Sequence, residues 1–128
     1  YSSASRQWTP IATPTGNDGE TISLGGGTAI AINENLILCT GGVNKDIFLA
    51  ALRQPQKDYL FYSAEWYKFN DRILIYNINQ NTLQEIARTP QTARAGAALT
   101  GWDETYYNIN GELKPGVRTP EIIRITVE

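Results

Sequence analysis

The chain has 128 residues and a formal net charge of −2, with 41% hydrophobic and 19% charged residues, a size that allows one domain. Its basic residues are scattered, and no apolar run approaches the ~20 residues of a membrane span, which argues against nucleic-acid binding and membrane insertion. The sequence contains no histidine, so it cannot by itself supply a Ser-His-Asp triad or a histidine-ligated metal site.

Short β-rich runs separated by turn residues follow one another along the chain. The predicted strands are 28–32, 36–40, 72–78, 82–87, 95–99, 105–109 and 122–127, with turns at 33–35, 79–81, 101–104 and 110–111. Strands this short and this regular indicate an all-β sandwich, barrel or propeller. The single cysteine, Cys39, lies in one of these apolar runs and is predicted to be a small buried hydrophobe.

An internal repeat favours the propeller over the other two architectures. When residues 26–30 are placed over 95–99, Gly41-Gly42 falls on Asn110-Gly111 without a gap. Both segments have a first strand of small residues, a polar turn, an apolar second strand and a glycine stop, as kelch-type blades do. The predicted fold class is therefore all-β, a kelch-type β-propeller of which this chain supplies two blades.

The domain organisation follows from the same scheme. Residues 1–12, which include Trp8, are predicted to be the outer strand of a neighbouring blade, residues 25–88 one blade with an insertion, and residues 93–128 a last blade without its fourth strand. Because a propeller closes with roughly 4–8 blades, we expect further blades from a longer parent chain or from another chain. A start at Tyr1 and the lack of methionine favour a processed chain, an expressed piece or a fragment.

One segment, residues 46–70, interrupts the repeat. Residues 47–52 are predicted to form a short helix, and four aromatic residues are spaced so as to share one helical face: Tyr59, Tyr62, Trp66 and Phe69. Two interpretations stay open: the insertion packs its aromatic stripe on the propeller, or it forms a lid over a central pocket.

The densest polar cluster is the segment 108–119, directly after the second strand of the last blade. Glu112 occupies the position that Val43 has in the first repeat, so a carboxylate replaces an apolar side chain at a turn near the propeller axis. A tight turn at Pro115-Gly116 can bring Arg118 back toward Glu112. The residues alone leave open whether this is a solvated surface turn or a site.

Two motifs in this chain resemble those of one enzyme family. Residues 110–119, NGELKPGVRT, are similar to the NGE-x-KPG-x-RT motif of the bacterial sialic acid (N-acetylneuraminate) mutarotases, also called epimerases. Upstream, Gly41-Gly42-Val43-Asn44 with Ile47-Phe48 resembles that family's GGVN-x-x-IF segment, and a long insertion follows it in the family too. The similarity runs in the same order over residues 25–128. A chain that ends just after the NGELKPGVRT motif also suits a cyclically permuted branch of the family, whose ring is expected to have about six blades.

The resemblance implies interconversion of the α and β anomers of N-acetylneuraminate by acid/base ring opening and closure. The family's catalytic pair falls on Glu112, which would move the proton, and on Arg118, which would hold the sugar's carboxylate or the charge developing on oxygen. Asn44 and Lys114 are weaker candidates for substrate binding. Neither a metal nor an organic cofactor is expected.

The implied partners are a small sugar acid and the remaining propeller blades, and a homodimer is a further expectation. Binding to nucleic acid or to a membrane is not expected. The resemblance also implies a periplasmic location. The alternative function is a non-catalytic kelch propeller that binds protein or carbohydrate. Two further alternatives are disfavoured, because a copper oxidase on this fold needs histidine ligands and a sialidase needs aspartate-box repeats.

Overall fold

A computed structural model describes residues 1–127 of the chain. Its elements are β1 (Thr28–Ala31), β2 (Leu36–Thr40), α1 (Lys45–Arg53), a 3-10 helix (Ala64–Tyr67), β3 (Arg72–Asn77), β4 (Thr82–Arg88), a second 3-10 helix (Pro90–Thr92), β5 (Ala98–Trp102), β6 (Thr105–Ile109), β7 (Glu112–Lys114), β8 (Val117–Arg118) and β9 (Ile122–Thr126). One antiparallel sheet has the order β1-β2-β3-β4 and a second has the order β5-β6-β9, while β7 and β8 form a separate hairpin. These are two propeller blades, as the sequence predicted.

The strand predictions are confirmed except at the start of the second blade. There β5 begins at Ala98, three residues later than predicted, because Ala95 pairs with Glu112 and the chain turns at Gly96, which has a φ of 65°. The following turn is correspondingly shorter and centres on Asp103 and Glu104. The hairpin of β7 and β8 was expected only as a tight turn, because each of its strands is too short to show a periodicity.

The insertion contains one regular helix, α1, which confirms the short helix predicted at 47–52. The longer helical stripe predicted from the aromatic spacing is wrong, because only Ala64–Tyr67 is helical and residues 54–63 form bends and turns. Gln54 ends α1 with a φ of −136° and a ψ of 82°, outside the helical region that the residue before a proline avoids. The aromatic rings still pack on one another: Tyr62 stacks on Trp66 with centroids 4.2 Å apart, and Tyr67 is 1% exposed.

The hydrophobic core covers both faces of the first sheet. Leu38 and Ile73 face the second sheet, where they pack with Tyr106 and Ile125. Successive residues of a strand point to opposite faces, so Cys39, next to Leu38 in β2, packs in a second cluster with Leu74 and Ile22. Burial raises the pKa of the Cys39 thiol, and the prediction that this side chain is buried is confirmed.

Residues 1–12 lie outside both sheets. Ser2 and Gln7 form an isolated bridge, and the Trp8 side chain is 83% exposed. That this segment supplies the outer strand of a neighbouring blade stays a prediction. Within the described residues, no helix is long and apolar enough to cross a membrane.

Candidate active site

The repeat seen in the sequence appears in the structure as two equivalent corners, one after β2 and one after β6. All four corner residues have left-handed backbones, with φ of 70° at Gly41, 115° at Gly42, 58° at Asn110 and 101° at Gly111. Asparagine is among the residues that tolerate this conformation, which explains how Asn110 can replace a glycine. At Gly41 a Cβ would collide with the carbonyl oxygen of Arg94, so only glycine fits there.

The two corners are closed by matching hydrogen bonds. The Asn70 amide donates to the Gly42 carbonyl at 2.8 Å, and the Thr119 amide donates to the Gly111 carbonyl at 3.0 Å. Each hydrogen bond closes a segment that is inserted between the second and third strands of its blade. This segment is α1 with the aromatic insertion in the first blade and the β7–β8 hairpin in the second.

A buried arginine, Arg94, holds the second corner in place. Its side chain is fully buried, and its guanidinium donates to the carbonyls of Asn110 and Glu121 at 3.0 Å each and to Glu121 Oε2 at 2.7 Å. The Nε donates to the Gln91 carbonyl at 2.9 Å. Sequence reasoning did not select Arg94. The feature that could have identified Arg94 is a cationic residue among small residues, directly before a predicted strand.

The corner leads directly into the predicted catalytic pair. Glu112 and Arg118 are register partners across β7 and β8, with Arg118 Nε 3.6 Å from Glu112 Oε1. The turn between them includes Pro115-Gly116, where Gly116 has a φ of 77°. Glu112 is one-third exposed and the Arg118 side chain is 84% exposed, so the guanidinium is open to a ligand.

Lys114 points toward the insertion. Its ammonium donates to the carbonyls of Leu60 at 3.0 Å and Tyr62 at 2.6 Å, and it lies 6.0 Å from the centre of the Tyr67 ring. These contacts hold the irregular part of the insertion against the strand that carries Glu112. Lys114 is therefore a positioning residue, and the predicted contact with substrate stays a prediction.

Asn44 and Glu112 meet at one cavity. Asn44 is the N-cap of α1, where its Oδ1 accepts a hydrogen bond from the Ile47 amide at 3.1 Å. The cap occupies this oxygen, so the Nδ2 of the same amide is the group that can donate to a ligand. The cavity measures about 190 Å³, and its other lining residues are Val43, Ile47, Phe48, Tyr59, Tyr67, Phe69, Ala95 and Pro115.

Glu112 also lines an open depression of about 780 Å³. The other lining residues of the depression are Arg118, Asn110 and Gly111 of the second corner, Ala95, Gly96, Ala98, Ile109, Thr119 and Pro120. Glu112 and Ala95 line both the cavity and the depression, so the two spaces adjoin at these residues. The structure thus brings together Asn44, Glu112 and Arg118, while Lys114 supports them from the side.

This arrangement suits proton transfer on an anionic molecule. A partly exposed carboxylate can take and return a proton, and an exposed guanidinium can bind a carboxylate through two parallel hydrogen bonds. Within residues 1–127, no group of three or more His, Cys, Asp or Glu side chains is placed to hold a metal ion.

The fold and this corner define a class of protein, a β-propeller with a carboxylate–guanidinium pair on the loop that follows a second strand. A family model described as NANM: N-acetylneuraminate epimerase matches residues 1–128. The chain therefore belongs to the N-acetylneuraminate epimerase family, as the two sequence motifs predicted.

Individual relatives agree with the family. The chain is similar to the N-acetylneuraminate epimerase of Salmonella typhi, 36% identical over 80% of this chain and 30% of that protein. The chain is also similar to the N-acetylneuraminate epimerase of Salmonella arizonae, with 32% identity over 97% of this chain and 34% of that protein. The solved structure titled "Structure of YjhT" matches with a TM-score of 0.69 and 29% identity over 79% of this chain and 32% of that one. The chain thus spans about a third of the length of these relatives.

Proposed function

We propose that the protein containing this chain is a mutarotase that interconverts the α and β anomers of N-acetylneuraminate. The observation that carries the proposal is the register pair of Glu112 and Arg118, 3.6 Å apart at the edge of an open depression. Support for the substrate comes from the name of the family and of its relatives.

Glu112 is the residue that moves the proton in this proposal. Its carboxylate takes the proton of the anomeric hydroxyl, the bond between the anomeric carbon and the ring oxygen breaks, and the ring oxygen takes the proton back from Glu112. The open-chain ketone rotates about its carbon–carbon bond. The same steps in reverse close the ring on the other face and regenerate the carboxylate.

Arg118 binds the sugar's carboxylate in this scheme. A planar guanidinium matches a carboxylate with two parallel hydrogen bonds, and an 84% exposed side chain can reorient from Glu112 to the substrate. The Asn44 amide donates to a polar group of the sugar, and Lys114 keeps the insertion next to the site. The reaction needs neither a metal nor an organic cofactor.

The test is anomer exchange of N-acetylneuraminate, followed by proton NMR with the whole protein. In the Glu112→Gln variant, catalysed exchange should fall by roughly 100-fold or more, the usual contribution of general acid–base catalysis. Glu104→Gln, which changes an exposed turn carboxylate that does not line the depression, is the matched control and should leave the rate unchanged. Exchange no faster than in buffer would instead favour a non-catalytic kelch propeller that binds carbohydrate or protein.

The partners and location belong to the same proposal. We expect further blades that complete the ring, because the relatives are longer than this chain. The sugar acid as ligand and residence in the periplasm are expected from the family resemblance. Light scattering of the purified whole protein would distinguish a monomeric ring from a homodimer.

A further inference from the structure

The cavity beside Glu112 has walls unlike those of the depression. Apart from Asn44 and Glu112, its lining consists of aliphatic and aromatic residues and one proline, contributed by α1, the insertion and the corners. Tyr59 belongs to this wall, and burial, with Tyr67 beside it, raises the pKa of its hydroxyl. The cavity is therefore a mainly apolar space whose lining includes two polar side chains, Asn44 and Glu112.

Its size sets what it can hold. Pockets for a whole small ligand usually measure at least about 300 Å³, and this cavity measures about 190 Å³. It can take a substituent of several heavy atoms, since one water occupies about 30 Å³. The remainder of such a ligand would lie in the adjoining depression, next to Glu112 and Arg118.

We propose that this cavity is a subsite for a short N-acyl group, the acetamido substituent of the sugar acid. The inference rests on the proposed function and adds a determinant of specificity to it. The acyl methyl contacts the side chains of Phe48, Ile47 and Phe69, and Asn44 Nδ2 donates to the acyl carbonyl oxygen.

Burial costs favour this substituent over the rest of the molecule. A carboxylate among apolar walls would lose its hydration without a charged partner, and several hydroxyl groups would need more hydrogen-bond partners than Asn44 and Glu112 supply. The acyl methyl is the one end of N-acetylneuraminate that carries no polar atom. Arg118, which lines the depression and not the cavity, is left to bind the carboxylate.

The experiment compares substrates that differ only at the acylamino position. For the whole protein, kcat/KM for anomer exchange is measured by NMR on N-acetylneuraminate, on an analogue with an N-butanoyl group and on the analogue with a hydroxyl in place of the acylamino group. Ile47→Phe fills the cavity, Phe48→Ala enlarges it, and Leu52→Ala is the control on the same helix, since Leu52 is exposed and outside the lining.

Filling the cavity should lower kcat/KM for N-acetylneuraminate roughly 10-fold or more while the hydroxyl analogue changes by less than about threefold. Enlarging it should raise the ratio of kcat/KM for the N-butanoyl analogue to kcat/KM for N-acetylneuraminate by roughly 10-fold. Leu52→Ala should leave kcat/KM unchanged for all three substrates. The enlarging variant decides the matter if Ile47→Phe does not fold. An equal effect on all three substrates would overturn the subsite but not the mutarotase. Absence of exchange in the unmodified protein would overturn both.

Discussion

The two blades have the same backbone corner and use it differently. In the first blade the corner continues through Val43 and the cap residue Asn44 into α1, and in the second it continues through Glu112 into a hairpin. The left-handed backbones and the closing hydrogen bonds are equivalent. A repeated scaffold therefore becomes a site through one changed side chain and through the different segment inserted after the corner.

The blades also differ in how each satisfies a buried arginine. Arg72 in the first blade lies within 2.7 Å of oxygens of both Asp18 and Glu20, and its Nε is 3.3 Å from Glu85. Arg94 at the start of the second blade donates mainly to backbone carbonyls. Carboxylates titrate and carbonyls do not, so the first arrangement should respond to pH more strongly than the second, in which Glu121 supplies a carboxylate beside three carbonyls.

The largest effect should follow from breaking the second corner with Arg94→Met. This change leaves the carbonyls of Gln91, Asn110 and Glu121 without their charged donor, and it should lower the free energy of unfolding by about 3 kcal/mol. Urea unfolding of the whole protein measures it. Arg88→Met, which removes an exposed arginine paired with Asp71, should lower the free energy of unfolding far less, because an exposed ion pair contributes little. Similar losses in both variants would contradict the role assigned to Arg94.

A smaller effect should follow from releasing the insertion with Lys114→Met. Without the ammonium, the carbonyls of Leu60 and Tyr62 lose their donor, and the insertion should separate from β7 more often. We expect KM to rise roughly tenfold while kcat changes little, with faster tryptic cleavage after Lys57.

Two variants control for the loss of positive charge at Lys114. Lys114→Arg should restore much of the wild-type KM, and Lys45→Met, at an exposed position on α1, should change neither KM nor cleavage. If kcat fell with KM unchanged, Lys114 would have a role in the chemical step instead.

The smallest effect concerns acid stability of the first blade. A hydrogen bond from the Glu20 amide, followed by Arg72, lowers the pKa of Asp18 below its ordinary value. The stability that Asp18 contributes is therefore present above the ordinary carboxyl pKa of about 3.9 and is lost as the pH falls through the lowered folded value. Asp18→Asn should flatten the decline of the urea midpoint below about pH 4. Asp103→Asn, at an exposed turn, should give the wild-type curve, and coincident curves for all three proteins would contradict the expectation.

Much of the fold could be predicted because its signals are local. The short β-rich runs and the turn residues between them located β2 and β6 to the residue, and Gly41-Gly42 and Asn110-Gly111 marked the two corners. The approach of Arg118 to Glu112 was also predictable, because a tight turn lies between them. The aromatic spacing of the insertion was misleading, since Pro55 ends α1 and the rings pack without a continuous helix.

The sequence by itself determined the class of fold, the two corners, the buried Cys39 and the pairing of Glu112 with Arg118, because each depends on residues close together in the chain. Tertiary structure alone decided that Arg94 holds the second corner, that Lys114 supports the insertion, and that Asn44 shares a cavity with Glu112. These contacts join segments far apart in sequence. Hydrogen bonding and burial at such distances depend on how the two blades and the insertion pack, which no local pattern encodes.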